Sequence, residues 1–321
     1  MEYNIMNKSS KILVLGSTGL VGSAVVRKLV EDGYENILTP THNDLYLDKE
    51  IQVFNYFAYH EPEYVFNCAA TVGGILANAT YPAEFIYNNI VIAANVINLC
   101  YKFKIKKLLN LGSSCIYPKE TPQPMKEEYL LTGKLEPTNE PYAIAKIAAI
   151  KMCVAFNKQY STNFISAMPP NQYGINDNFD LNNSHLVPAL IRKFHEAKLH
   201  KSKTVTFWGD GTPKRELMFA DDLADGLVFL MNNYDYADDD FINIGTNQYY
   251  SIKELVDIVK HIVGYTGEVL WDKTKPNGTM LKLLDSTKIS NLGWSPTTSL
   301  NVGLTKTYEW FIKTYPNIKG F

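Results

Sequence analysis

Two rhythms of apolar residues alternate through the first half of the chain. Lys11-Ile-Leu-Val-Leu15 is a short continuous apolar run ending at Gly16, the pattern of a strand buried on both faces. From 20 to 31, apolar residues recur at helical spacing (Leu20, Val21, Ala24, Val25, Leu29), and the pattern stops before Gly33. The exchange then repeats. Strands are predicted at 36–39, 64–67, 107–112 and 163–168, and helices at 49–60, 82–101 and 141–160. Strands that alternate with helices are joined by crossovers and therefore run parallel, so the expected fold is α/β, a doubly wound parallel sheet.

After Pro169-Pro170 the alternation breaks. Turn signals at Gly209-Asp-Gly211 and Pro276-Asn-Gly278 flank short strands. Ser251 with Glu254 three residues on forms a capping-box pattern before Leu255, Ile258 and Val259, and another helix follows Ser299. We expect a first unit over 1–170 and a smaller mixed α/β lobe over 171–321, with some segments returning to the sheet. The predicted helices around Phe85 to Cys100 and Tyr142 to Phe156 are apolar nearly all round. A surface helix needs one apolar stripe, so a second stripe wants a second partner. Either these helices are deeply buried in a large sheet, or they pair across the two-fold axis of a homodimer.

Composition narrows the class. With 321 residues, 46% apolar and 20% charged, the chain can bury a sizeable core, which excludes a disordered or fibrous protein. A formal charge of -2 offers no global field for nucleic acid or an anionic membrane. No apolar run approaches the roughly 18–20 residues needed to cross a bilayer, and residues 1–10 lack the apolar core of a signal peptide. The four cysteines (Cys68, Cys100, Cys115, Cys153) have no paired spacing and read as reduced thiols, so a cytoplasmic protein is expected.

The turn Gly16-Ser-Thr-Gly19-Leu-Val-Gly22 lies between the first strand and the first helix. Its glycines permit a tight turn, close approach to a pyrophosphate and close helix packing, while backbone N–H groups at the helix start meet the phosphate charge. The second strand leads into Leu38-Thr-Pro-Thr-His-Asn43, with Asp44 the first acid. No carboxylate there repels a 2′-phosphate, which tilts the reading toward NADP, although no Arg or Lys in that segment clamps one. Thr39, Thr41, His42 and Asn43 are the available donors.

Tyr142 and Lys146 lie one helical turn apart on one face. A free phenol has a pKa of about 10. A neighbouring ammonium lowers it toward the working range of a general acid. Ser113 or Ser114, at the end of the fourth strand, can hydrogen-bond the same carbonyl oxygen. Together they suit protonation of a carbonyl oxygen as hydride reaches its carbon. Cys115, two residues beyond Ser113, shares its side of an extended chain. The other histidines (His42, His60, His195, His200, His261) show no metal spacing, and no metal is expected.

The motifs Gly112-Ser-Ser-Cys-Ile-Tyr-Pro-Lys119, Glu136-Pro-Thr-Asn-Glu-Pro-Tyr-Ala-Ile-Ala-Lys146, Asp177-Asn-Phe179, Asn183-Ser-His185 and Trp208-Gly-Asp-Gly-Thr-Pro213 resemble the GDP-L-fucose synthase family of extended short-chain reductases. The resemblance runs from about Lys11 to Tyr315. It implies a Rossmann-type NADP-binding domain with a GDP-sugar lobe, and NADPH-dependent reduction at C4 of a GDP-4-keto-6-deoxy sugar after epimerisation at C3 and C5. It implies catalytic roles for Ser113, Cys115, Tyr142, Lys146 and His185, with Cys115 and His185 the epimerisation pair and Cys115 the base. Cofactor contacts carry over to Gly16, Ser17, Thr18, Gly19, Leu20, Val21, Gly22, His42, Leu111, Gly112, Ser114, Lys146, Pro169, Asn171 and His185. Substrate contacts carry over to Lys193, Trp208, Arg215 and Lys282.

The chain also departs from the family pattern. Thr71 stands where a lysine usually precedes Val-Gly-Gly, and Gly278-Thr-Met-Leu-Lys282 keeps only the lysine of a Pro-Arg-Lys run. Arginines common in the glycine turn and after the second strand are replaced by Thr18, Pro40 and His42. Three alternatives follow: a C4 reductase of a GDP-4-keto-6-deoxy-heptose without epimerase activity, a nucleotide-sugar dehydratase, and a non-catalytic dinucleotide-binding regulator.

Overall fold

Five strands of the first unit, β1 (Lys11–Leu15), β2 (Asn36–Leu38), β3 (Tyr64–Asn67), β4 (Lys107–Leu111) and β5 (Phe164–Met168), pair in parallel in the order β5-β4-β3-β1-β2. The structure, a computed structural model, describes residues 5–318 except 182, 237–240, 276 and 278, so Pro276 and Gly278 of the expected turn lie outside the described residues. Between the strands run α1 (Leu20–Glu31), α2 (Glu50–His60), the short α3 (Ile75–Thr80), α4 (Pro82–Lys102) and α5 (Glu140–Tyr160). The sheet reverses direction of winding between β1 and β3, and it is there that a doubly wound sheet opens a crevice at the carboxyl ends of its strands.

Alternate residues of each strand feed two cores. Ile12, Val14, Phe66, Leu109, Leu111, Ile165 and Ala167 face α1 and a later helix, α7 (Ala220–Asn233). Leu13, Leu15, Val65, Leu108 and Phe164 face α2, α4 and α5. Continuous apolar strands result because both faces are covered.

The remainder of the chain supplies β6 (Asn171–Tyr173), α6 (Leu186–Leu199), β7 (Thr204–Trp208), β8 (Lys214–Arg215), β9 (Leu217–Phe219), α7 (Ala220–Asn233) and β10 (Ile242–Asn243). Then come β11 (Tyr250–Ser251), α8 (Ile252–Val263), β12 (Glu268–Asp272), β13 (Leu281–Lys282), α9 (Thr287–Asn291) and α10 (Leu300–Thr314). α7 packs on α1, and β10 joins the sheet beside β5, with Ile242 opposite Ala167 and Asn243 opposite Met168. Helices α6, α8 and α10 close a separate apolar core around Phe194, Leu255, Val259 and Phe311. The capping box at α8 is present: the Glu254 N–H donates to Ser251 Oγ at 3.1 Å, and the Ser251 N–H donates to the Glu254 carboxylate at 2.7 Å.

α4 has 21 residues and is long and apolar enough to cross a membrane by length and composition, which corrects the expectation that no such run exists. It is a core helix here. Val96, Ile97, Leu99 and Cys100 are buried against the sheet, and Asn89 is buried with its amide fully engaged. α4 and α5 pack along one another, yet Ile86, Ile90, Val91 and Ala94 stay half-buried and Tyr87 and Ile144 are exposed.

Candidate active site

The cleft at the carboxyl ends of β1, β2, β3 and β4 holds about 850 Å³ and is lined by Gly16, Thr18, Gly19, Leu20, Val21 and Gly22 of the turn. The turn is tight for steric reasons. Gly16 has φ of +78°, and an added Cβ would lie 2.9 Å from the Ala69 nitrogen, while a Cβ on Gly22 would lie 2.1 Å from the Gly16 oxygen. Ser17 is turned away from the cleft, its hydroxyl donating to the Pro40 carbonyl at 3.1 Å and so tying the turn to the segment after β2. The three glycines bring backbone to the cleft, and the start of α1, with Leu20 and Val21, lines it. These features fit the pyrophosphate of a dinucleotide.

At the other end of the same cleft stand Leu111, Gly112, Ser113, Tyr142, Lys146, Asn171 and His185. The expected cofactor contacts Ser114 and Pro169 lie outside the lining and bind each other, the Ser114 N–H donating to the Pro169 carbonyl at 3.1 Å. Ser113, two residues past β4, is extended, but Ser114–Ile116 is a 3-10 turn, so Ser113 and Cys115 do not share one side of an extended chain as expected. The turn brings them together instead, with the Cys115 N–H pointing at Ser113 Oγ, 3.4 Å away.

Burial pushes the Tyr142 phenol up, helped by Cys115, and the Ser113 hydroxyl works against the rise. Tyr142 therefore holds its proton at neutral pH. Lys146 Nζ lies 5.7 Å from the Tyr142 ring centroid and donates to the Leu111 carbonyl at 2.8 Å. Burial brings its own pKa down to about 8, against weaker support from Cys115 and Cys68. At rest, burial outweighs any lowering of the phenol by the ammonium, which is anchored on the Leu111 carbonyl. His185 heads α6, and burial lowers its pKa, so the imidazole is neutral.

Cys115, Arg215 and Lys282 gather beside this end, outside the lining of the cleft. β13 pairs with β8 so that Lys282 lies directly opposite Arg215. Burial lowers the pKa of Lys282, while Cys115 pulls it up and Arg215 pushes it down, so the three groups feel one another. Burial raises the Cys115 thiol, opposed by Ser113, Lys282 and Lys146. Arg215 is held by donating to the Thr279 carbonyl at 2.6 Å. The buried Glu216 beside it accepts backbone N–H groups from Thr246, Asn247 and Leu284 and so ties two other segments of the lobe to this edge. Lys193 on α6 lies over the Phe207 ring at 5.4 Å, and Trp208 is 69% exposed with Lys275 Nζ 5.7 Å from its ring.

Comparison with known proteins places this geometry. Residues 12–245 match the NAD dependent epimerase/dehydratase family. GDP-L-fucose synthase 1 of Arabidopsis thaliana is 52% identical over 314 residues, spanning 98% of this chain and 97% of that protein. The chain belongs to the GDP-L-fucose synthase family. Among solved structures, a GDP-L-fucose synthetase from Naegleria fowleri bound to NADP superposes with a TM-score of 0.92 at 26% identity, covering 99% of this chain and 97% of that one. A GDP-6-OMe-4-keto-L-xylo-heptose reductase from C. jejuni does so with a TM-score of 0.91 at 37% identity, covering 97% and 100%.

Several lining residues are not among the expected contacts. Cys68, Ala69, Ala70, Thr71, Val72, Gly73 and Asn78 reach the cleft after β3, and Lys49 reaches it between β2 and α2. The Thr71 backbone is clamped on both sides by Asn89, which accepts from its N–H at 3.0 Å and donates to its carbonyl at 2.9 Å. The signal that finds these residues is topological: every loop at the carboxyl edge of the central strands faces the crevice.

Proposed function

We propose that this member of the GDP-L-fucose synthase family exchanges the protons at C3 and C5 of a GDP-4-keto-6-deoxy sugar and then reduces its C4 ketone with NADPH. The observation that carries the reading is that one cleft holds the glycine turn at one end and Ser113, Tyr142 and Lys146 at the other. The chain is an NADP-dependent oxidoreductase of that family. When bound, NADPH supplies a hydride to C4.

Residues of the chain supply the rest. Tyr142, protonated at rest, gives its proton to the C4 oxygen as the new C4–H bond forms, so the ketone becomes an alcohol. Ser113 donates a second hydrogen bond to that oxygen. Lys146, still charged at neutral pH, steadies the phenolate left behind until solvent returns the proton. For the earlier step, the ketone acidifies the protons on C3 and C5. Removing one leaves an enolate, and a proton delivered from the opposite face inverts the centre. A thiol and a neutral imidazole offer one proton to give and one lone pair to take. We assign the base to Cys115 and the acid to His185, which requires the thiol proton to pass first to the imidazole, leaving a thiolate that Lys282 and Lys146 favour against burial and an imidazolium with a proton to give. Arg215, Lys282 and Lys193 would meet the diphosphate and Trp208 the base or sugar. In this reading residues 1–170 hold the cofactor and 171–321 the sugar nucleotide, with α7 and β10 completing the first unit.

Turnover in deuterated water tests the sequence of steps. Wild type is expected to place deuterium at C3 and C5 of a reduced product. Cys115→Ser is expected to lose about 10²-fold or more in label exchange, the scale of a lost general base, while reducing an already epimerised ketosugar. Reduction by wild type with no label would leave a pure C4 reductase and remove Cys115 from the mechanism. Such a reductase is the second reading, and the 37% identity to the heptose reductase, below the 52% to the fucose synthase, does not favour it.

The half-buried apolar stripe of Ile86, Ile90, Val91 and Ala94 on α4 supports a homodimer formed by α4 and α5 of two copies. Ile90→Glu should then shift the sedimenting species from dimer to monomer. A wild-type monomer at micromolar concentration would refute the pairing.

A further inference from the structure

The β2 end of the cleft poses a question of charge. NADPH differs from NADH by a phosphomonoester dianion on the adenosine ribose, and no arginine among the described residues lines the cleft, whose β2 side has Thr18, Pro40 and His42. The basic residues that line the cleft are His42, Lys49, Lys146 and His185. Lys146 is anchored on the Leu111 carbonyl and His185 heads α6, both at the catalytic end. That leaves Lys49 and His42, which share the β2 side of the lining with Pro40, Thr41 and Tyr46.

Lys49 is the residue immediately before α2, so its ammonium adds to the positive end of an 11-residue helix. Its ion-pair partner is its own chain neighbour Asp48, 3.0 Å away, with Lys49 60% exposed. A pair of that kind is weak and yields readily to a dianion. Two acids lie near this end: Asp48 lines the cleft and is offset by its pairing with Lys49, and Asp44 accepts from the Thr41 N–H at 2.9 Å and the Thr41 hydroxyl at 2.7 Å, closing its own turn. His42 stands on the same stretch with its ring 4.6 Å from that of Tyr46.

We propose that Lys49, together with His42, recognises the 2′-phosphate in this chain and sets its preference for NADPH over NADH. The assignment rests on NADPH being the cofactor, as proposed above. A lysine placed by a helix start here does the work that an arginine does elsewhere, as a point charge and not as a planar fork.

Direct binding to the full-length protein tests it, with 2′,5′-ADP against 5′-AMP by calorimetry and NADPH against NADH by fluorescence. Lys49→Ala is expected to weaken 2′,5′-ADP and NADPH about tenfold, as for one lost charge-assisted contact, and 5′-AMP and NADH less than about twofold. Lys49→Arg should keep the preference, and His42→Ala should lose a smaller part of it. Equal losses for both nucleotides in Lys49→Ala would mean a structural role and overturn the proposal, as would no loss at all. A wild type that binds 2′,5′-ADP and 5′-AMP equally would refute the NADPH reading itself, and this assignment with it.

Discussion

Tyr142→Phe should lower kcat for C4 reduction by about 10³-fold, within the range of a lost general acid, and leave NADPH binding as it is. Phenylalanine keeps the ring, its edge-on contact with Phe85 at 6.2 Å between centroids, and its place on α5. Only the hydroxyl goes, and with it the proton destined for the C4 oxygen. Burial keeps that proton on the phenol until the oxygen begins to take up charge. Ser113 remains as a hydrogen-bond donor, but a serine hydroxyl is far too weak an acid to replace a phenol steadied by Lys146. Because proton exchange at C3 and C5 precedes reduction, the variant should still place deuterium at both carbons of the unreduced ketosugar. That residual exchange separates lost chemistry from lost folding. Undiminished turnover would remove Tyr142 as the acid and collapse the proposed mechanism.

The readable and unreadable parts of this protein divide by length scale. The α/β rhythm is visible because both faces of the strands are covered, which turns each into an apolar run such as Lys11–Leu15, and the capping box at Ser251 is visible because it is local chemistry. β10 is two residues long and has no periodicity of its own; it joins the sheet only because α7 delivers it to the edge of β5. Cys115 reaches Ser113 through a 3-10 turn, which three residues of sequence do not announce. The neighbourhood of Arg215 and Lys282 depends on pairing across 67 positions, and Glu216 braces it with a buried carboxylate that looks in sequence like a surface charge. Tyr142 and Lys146 are one turn apart as spacing dictates, yet the direction of the lysine was set by a carbonyl of β4, a contact no helical spacing contains. The lesson is that local motifs fix which groups are present, whereas charge states depend on partners brought from elsewhere.

Gly22→Ala should reduce NADPH affinity by at least about 100-fold and cost about 3 kcal/mol of stability, the upper range of overpacking. The new Cβ would sit 2.1 Å from the Gly16 oxygen, 2.6 Å from the Gly16 carbonyl carbon and 3.0 Å from the Ser17 nitrogen. All three are backbone atoms, so no rotamer change relieves the contact. Either α1 moves out along its axis or the turn flattens, and both pull the N–H groups away from the position of the pyrophosphate. The clash also reaches the sheet, because Gly16 leaves β1 against Ala69 at the end of β3. Gly33→Ala provides the contrast. That residue has φ of +78° with nothing within 4 Å of an added Cβ, so it should cost only the strain of a left-handed residue, about 1–2 kcal/mol, and leave NADPH binding untouched. Comparing denaturant midpoints and NADPH fluorescence in the two variants separates backbone strain from collision. If Gly22→Ala binds NADPH as tightly as the wild type, the turn is not the pyrophosphate cradle, and the cofactor must enter the cleft by another geometry.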